Sequence, residues 1–157
     1  MINHLAVLIK KRHATQFDIR SISDLARQST VKYGVIQSGL INDLFRTSTR
    51  PSFETMWSTM IEDTDVGFVR TIDEGVERVL ASTDERPWAF VSGSDALTYA
   101  ARQRSDVQVF IDPWNHWFMS LAVPIDSPYF DRLNLAILEM LESGAVNTLL
   151  MRWWNLE

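Results

Sequence analysis

Apolar residues return every third and fourth position between Phe53 and Met60. Phe53, Met56, Trp57 and Met60 therefore share one face of a helix, with Pro51 near its first position. The same spacing, with shorter apolar runs between, divides the rest of the chain. "SISDLARQS" reads as a short helix capped by Ser21 or Ser23, "KYGVI" as a strand, and "LINDLFRTS" as a helix after a Ser38-Gly39 turn. "GFVR" is a short strand. "TIDEGVERVLAST" is a helix opened by a capping box, in which Thr71 caps and Glu74 reaches back to it. "WAFVSG" is the next strand, with Ser94 capping the helix "DALTYAARQ". "VQVFI", a bulky loop "DPWNHW" and a strand "FMSLAVP" follow. Ser127-Pro128 then starts a helix carrying Leu133, Ile137, Met140 and Leu141, Gly144 ends it, and "AVNTLLMRWW" returns as a hairpin.

Alternating short strands and helices predict an α/β layer with a short, largely parallel sheet flanked by helices and a C-terminal helical hairpin. In such sheets ligands bind beyond the carboxyl ends of the strands, at helix starts. The junctions at Gly39, Thr71 and Gly93-Ser94 are thus the places for a site. With 157 residues the chain can bury a core. No repeat, low-complexity segment or Pro/Gly linker divides it.

Charge narrows the partners. The net charge is −5, and the largest basic cluster is Lys10-Lys11-Arg12, which argues against nucleic acid. The absence of cysteine removes disulfides, thiol catalysis and thiolate metal ligands. No apolar run reaches the ~20 residues that span a bilayer. "MINHLAVLI" has neither the basic start nor the cleavage site of a signal peptide.

Little in the sequence points to catalysis, and no catalytic residue, metal ligand or cofactor is expected. His4, His13 and His116 share no ligand spacing, and Ser38 in "QSGL" lacks the nucleophile-elbow pattern. The carboxylates Asp24, Asp43, Glu54, Asp73, Glu74, Glu77 and Glu139 read as solvated helix faces. Six tryptophans are many for this length. Trp57, Trp153 and Trp154 are expected in the core. Trp114 and Trp117, in the "DPWNHW" stretch, either line a ligand site or pack under a long loop.

The order of these motifs resembles the second, lower lobe of the ligand-binding domain of ionotropic glutamate receptors, itself similar to periplasmic amino-acid-binding proteins. "YGVIQSGLINDLFRTSTRPSFETMW" carries the resemblance furthest. "VRTIDEGVERV", "WAFVSGSDALTY" and "LAVPIDSPYFDRLNLAILEMLESG" followed by "WW" extend it over nearly the whole chain. "NHLAVLIKKRH" looks like the end of the third membrane segment and its linker, so that Met1 lies inside a motif. On that reading residues 1–20 end a pore-helix-like segment with its linker, and 21–157 form the lower lobe of a clamshell.

The resemblance implies a fragment of a ligand-gated cation channel subunit, on the extracellular side of a plasma membrane. Its lobe closes on an amino acid or other small organic molecule and pulls the gate through the linker. Other subunits, a tetramer in the family, are the implied partners. Alternatives are a soluble solute-binding protein, or a truncated product acting only through subunit interaction.

By position the ligand contacts are Gly39, Leu40, Ile41, Ile72, Gly93 and Met119. Three of these depart from the family. Leu40 and Ile41 stand where glutamate-binding members carry hydroxyls, and Gly93 stands where they place the acidic partner of the ligand's ammonium. Each lost hydrogen bond to a charged group removes about 1.5–3 kcal/mol. Asp95 is the nearest substitute for the ammonium partner. Ser105 replaces the family's lobe-locking cysteine. The expected site is a carboxylate pocket with its polar groups replaced, as in a divergent receptor such as the arthropod chemosensory branch, or in a subunit that assembles without binding agonist.

Overall fold

A computed structural model describes residues 2–102 and 104–154 of the chain, and of Trp154 only the backbone. It divides into two compact units, one ending at Met119 and one starting at Ser120.

The first unit opens with β1 (Ile2–Lys10), α1 (Lys11–Gln16) and α2 (Ile22–Arg27). β2 (Lys32–Ile36), α3 (Leu40–Thr47), α4 (Pro51–Glu62) and α5 (Thr64–Gly67) follow. β3 (Phe68–Val69), α6 (Ile72–Ala81), β4 (Trp88–Gly93), α7 (Ser94–Ala101) and β5 (Val107–Phe118) complete it. The five strands form one sheet in the order β3-β2-β4-β1-β5. β2 runs parallel to both β3 and β4, whereas β1 is antiparallel to both β4 and β5. The α/β class holds, but the sheet is mixed rather than largely parallel.

β1 is the reason. Where the end of a membrane segment was expected in residues 1–20, residues 2–10 form a strand inserted between β4 and β5. Leu5, Val7 and Ile9 enter the core on one side of the sheet, against α2, α3 and α4. Ala6 and Leu8 enter the core on the other side, against α6 and α7. Leu5 to Ile9 are all fully buried. Each such aliphatic side chain contributes roughly 1.5–3 kcal/mol by leaving water. A strand buried on both faces loses the polar-apolar alternation that marks half-buried strands, which is why its sequence also fits a membrane-helix end.

β4 is likewise buried throughout, with Ala89 and Val91 facing the first core and Trp88 and Phe90 the second. The α4 stripe is confirmed: Phe53, Met56 and Met60 are buried, and Trp57 is half-buried against the same core. Ser21 caps α2, accepting from the Asp24 N–H at 3.1 Å.

β5 differs from expectation at both ends. "DPWNHW" is no free loop but part of β5. Pairing with β1 jumps from Asp112 to His116, so residues 113–115 bulge out of the ladder. Beyond Phe118 "FMSLAVP" forms no strand; the ladder's last pair is Ile2 with Phe118.

The second unit contains the hairpin of α8 (Phe130–Glu142) and α9 (Ala145–Trp154), turned at Gly144 with φ 74°. Trp153, expected in the core, is exposed. Two helices alone have no interior that shields a tryptophan from every side. Trp154's side chain lies outside the described residues.

Candidate functional site

The parallel pairing sends the carboxyl ends of β2, β3 and β4 to one edge of the sheet, at Ile36, Val69 and Gly93. The antiparallel pairing brings the start of β1 and the end of β5 to that same edge. Each of the three parallel strands passes there into a helix, so the first turns of α3, α6 and α7 all present backbone N–H groups along it. Residues 39–41, 72 and 93–95, far apart in sequence, thus follow three neighbouring strands. Met119 follows β5, two strands beyond β4, or about 10 Å further along at strand spacing.

At the first junction Gly39 holds φ 108° and ψ −175°, a conformation open to glycine and costly for other residues. It is exposed, and no side chain caps α3. Leu40 is 58% exposed. Ile41 is half-buried and packs on the first core. The amphipathic periodicity of α3 explains the difference, since Ile41, Leu44 and Phe45 form its inner face. Asn42, in the same turn, has its side-chain oxygen buried without a hydrogen-bond partner.

At the second junction the helix start is already satisfied. Thr71 accepts from the Glu74 N–H at 3.1 Å, and the Glu74 carboxylate accepts from the Arg70 N–H at 2.8 Å. Glu74 therefore reaches one residue further back than the capping-box spacing predicts. Ile72 lines a cavity of about 600 Å³ between α6 and α7 together with Val76 and Glu77.

The third junction holds the least expected arrangement. Ser94 is not the cap of α7; Gly93 occupies that position and has no side chain to offer. Asn3, from β1, supplies the missing acceptor. Its side-chain oxygen accepts from the Ser94 hydroxyl at 3.0 Å and from the Asp95 N–H at 3.3 Å, and Ser94 in turn accepts from the His4 N–H at 3.1 Å. Asn3 is buried. A Cβ on Gly93 would lie 2.8 Å from an Asp95 carboxylate oxygen and 3.0 Å from the Asn3 amide nitrogen. The space an acidic side chain would take at position 93 is filled by Asn3 and Asp95. Asp95 is half-buried, and its Oδ1 accepts from the Ala96 N–H at 2.7 Å, so it faces the helix start.

One other cluster invites a catalytic reading. His13 is buried between Ser82 and Asp84, with Nδ1 3.5 Å from the Ser82 hydroxyl and Nε2 3.4 Å from the Asp84 carboxylate. The Ser82 hydroxyl, however, donates to the Val79 carbonyl at 2.7 Å, at the end of α6. A proton committed there leaves no nucleophile for His13 to activate. Desolvation, then the charges of Lys10 and Arg12, push the His13 pKa below its ordinary value.

No protein-family model matches the chain. Curated proteins do. Human "Glutamate receptor ionotropic, kainate 1" is 30% identical over 153 residues, 98% of this chain and 16% of that protein. "Glutamate receptor" of Lymnaea stagnalis is 32% identical over 143 residues, 90% of this chain. Its homologues are ionotropic glutamate receptors. The mouse kainate 5 receptor is 29% identical over 137 residues. The chain spans only about 16% of the length of the first of these relatives. Among solved structures, the Drosophila muscle GluRIIB complex with glutamate superposes with a TM-score of 0.84. The match covers 99% of this chain and 59% of that one at 24% identity, and establishes a glutamate-receptor ligand-binding-domain fold of periplasmic-binding-protein type. Among the described residues no helix is long and apolar enough to cross a membrane.

The three helix starts are legible in the sequence. Asn3 and His4 are not, because they lie in the segment that resembles the end of a membrane helix. The only sequence signal for Asn3 was a polar residue at the start of an otherwise apolar run.

Proposed function

We propose that the chain is the lower lobe of a receptor ligand-binding domain, part of a ligand-gated cation channel subunit on the extracellular side of the plasma membrane. In this reading the edge formed by residues 39–41, 72, 93–95 and 119 closes on a small organic molecule. Closure shifts the population of the clamshell and pulls the gate, by no more than the ligand's differential affinity for the two states allows. Other subunits of the same family complete the channel.

One observation carries the reading of the ligand. The edge keeps its helix starts but offers Leu40 and Ile41 where side-chain hydroxyls would bond a distal carboxylate, and Asn3 fills the space above Gly93. An ammonium held there without an opposite charge costs on the order of 2–5 kcal/mol relative to a paired one. The edge therefore favours a ligand whose far end is apolar, over glutamate.

The full-length transcript tests the channel reading. In-frame pore segments and a first lobe bearing a carboxylate-binding arginine are expected, and the receptor made from it should open to an apolar organic ligand at concentrations where glutamate gives no current. A transcript without pore segments overturns the reading, and glutamate-gated current from the intact receptor overturns the ligand preference.

A further inference from the structure

At the β5 end of the helix-start edge, where Leu5 pairs with both Gly93 and Asp112, a cavity of about 430 Å³ lies between the first turns of α2 and α4 and the bulge of β5. We propose that it is a second small-molecule site, taking a compact carboxylate with an aromatic or bulky apolar body.

Much of the lining is apolar. Phe53 and Phe110 from the core side, with Ile111 and Trp114 from β5, leave an apolar wall in a volume typical of ligand pockets. Trp114 is 81% exposed, a large ring held at the mouth of the cavity with no core to enter. It is held there deliberately by the local backbone. Asp112 accepts from the Trp114 N–H at 2.9 Å and from the Asn115 side-chain amide at 2.5 Å, which fixes the three residues that leave the ladder.

The polar half is Arg50. Its guanidinium donates to the Asn115 side-chain carbonyl at 2.9 Å and lies 5.7 Å from the centre of the Phe53 ring. Asp112 orients Asn115, and Asn115 orients Arg50, so the cation is aimed by a chain of hydrogen bonds. No carboxylate lies within ion-pair distance of Arg50 among the described residues, whereas Arg12, Arg20, Arg27, Arg46 and Arg78 each have one. The Asp112 carboxylate also lines the cavity, but both its oxygens accept N–H groups of its own bulge. An anion meeting Arg50 keeps its apolar body against Phe110 and Trp114, and Ser52 lines the same cavity. None of its lining residues is among residues 39–41, 72, 93–95 and 119 of the proposed ligand edge, although the β5 bulge adjoins that edge.

Titration of the 157-residue chain with benzoate, followed by the indole N–H resonance of Trp114, tests the assignment. Saturable shifts of that resonance are expected, with benzamide, the uncharged isostere, binding at least about tenfold more weakly. R50Q should weaken benzoate by a similar factor and leave benzamide unchanged, and W114A should weaken both, monitored then at the Ile111 amide. R86Q, on a cation elsewhere in the fold, should change neither. Absence of saturation, equal binding of benzoate and benzamide, or an R50Q variant that binds benzoate like the parent would each overturn it.

Discussion

Asn3 and Ser94, 91 residues apart, meet through a 3.0 Å hydrogen bond that ties the start of β1 to the first turn of α7. Because the same Asn3 oxygen accepts the Asp95 N–H, it stands in for an N-cap side chain that Gly93 lacks. Losing an N-cap acceptor costs about 1 kcal/mol, in the range 0.5–2. Asn3→Ala is therefore expected to lower the thermal midpoint by roughly 2–8 °C. Amide exchange should accelerate first at Asp95 and Ala96. An unchanged midpoint together with unchanged exchange there would show that the bond contributes nothing.

Two glycines should fail for opposite reasons when replaced by alanine. At Gly39 nothing lies within 4 Å of an added Cβ, but φ is 108° and ψ −175°, so Gly39→Ala incurs only backbone strain of roughly 1–3 kcal/mol. At Gly75 the added carbon would sit 2.5–2.7 Å from three ring carbons of Phe90, inside the second core. Overpacking there costs about 1–3 kcal/mol. Urea midpoints measure both costs. Near-ultraviolet circular dichroism separates them, since only Gly75→Ala disturbs an aromatic side chain.

Acid should weaken the fold through His13. Its folded pKa lies below the unfolded value of 6.5, so the unfolded chain binds the proton more tightly. Stability from this group is present above pH 6.5 and is lost as pH falls through the lower, folded pKa. Chemical denaturation between pH 7.5 and 5 should show a slope that His13→Gln removes. A slope persisting in the variant would assign the effect to other groups.

Restoring hydroxyls at the edge should restore anion binding. Leu40→Ser with Ile41→Thr places two donors at the first turn of α3, each contributing about 1.5–3 kcal/mol toward a carboxylate. Amide shifts of residues 39–41 under titration with glutarate are expected to saturate at concentrations at least tenfold lower in the double variant. Ile41 packs on the first core, so Leu40→Ser alone serves as the variant that leaves packing intact.

The helix starts were legible because their signals are local. Gly39 needs only its own backbone, and Thr71 with Glu74 spans four residues. The α4 stripe was legible for the same reason. β1 was not, because burial on both faces erases the period-two pattern and leaves a run that a membrane helix also satisfies. The role of Asn3 depends on a partner 91 residues away, and no local rule reports it. The "DPWNHW" stretch was misread as a loop because Asp112 and Asn115 do make a local turn, whereas the pairing of its two ends with Leu5 and His4 is long-range. At the site, the close approach of the Asn3 and Asp95 side chains to Gly93 is visible only in three dimensions.

The placement of β1 also sets an order of events at the ribosome. Its nine residues emerge ahead of the partners that cover it, since β4 and β5 come about 90 residues later. At about 5–20 residues per second, the strand waits roughly 5–18 seconds with both apolar faces and both edges open. Nothing local can hide a run from Leu5 to Ile9 in that interval. This apolar segment thus stays unprotected until nearly the last strand of the sheet has been made, and residues 5–9 are where a chaperone that shields extended apolar peptide would act on this unit.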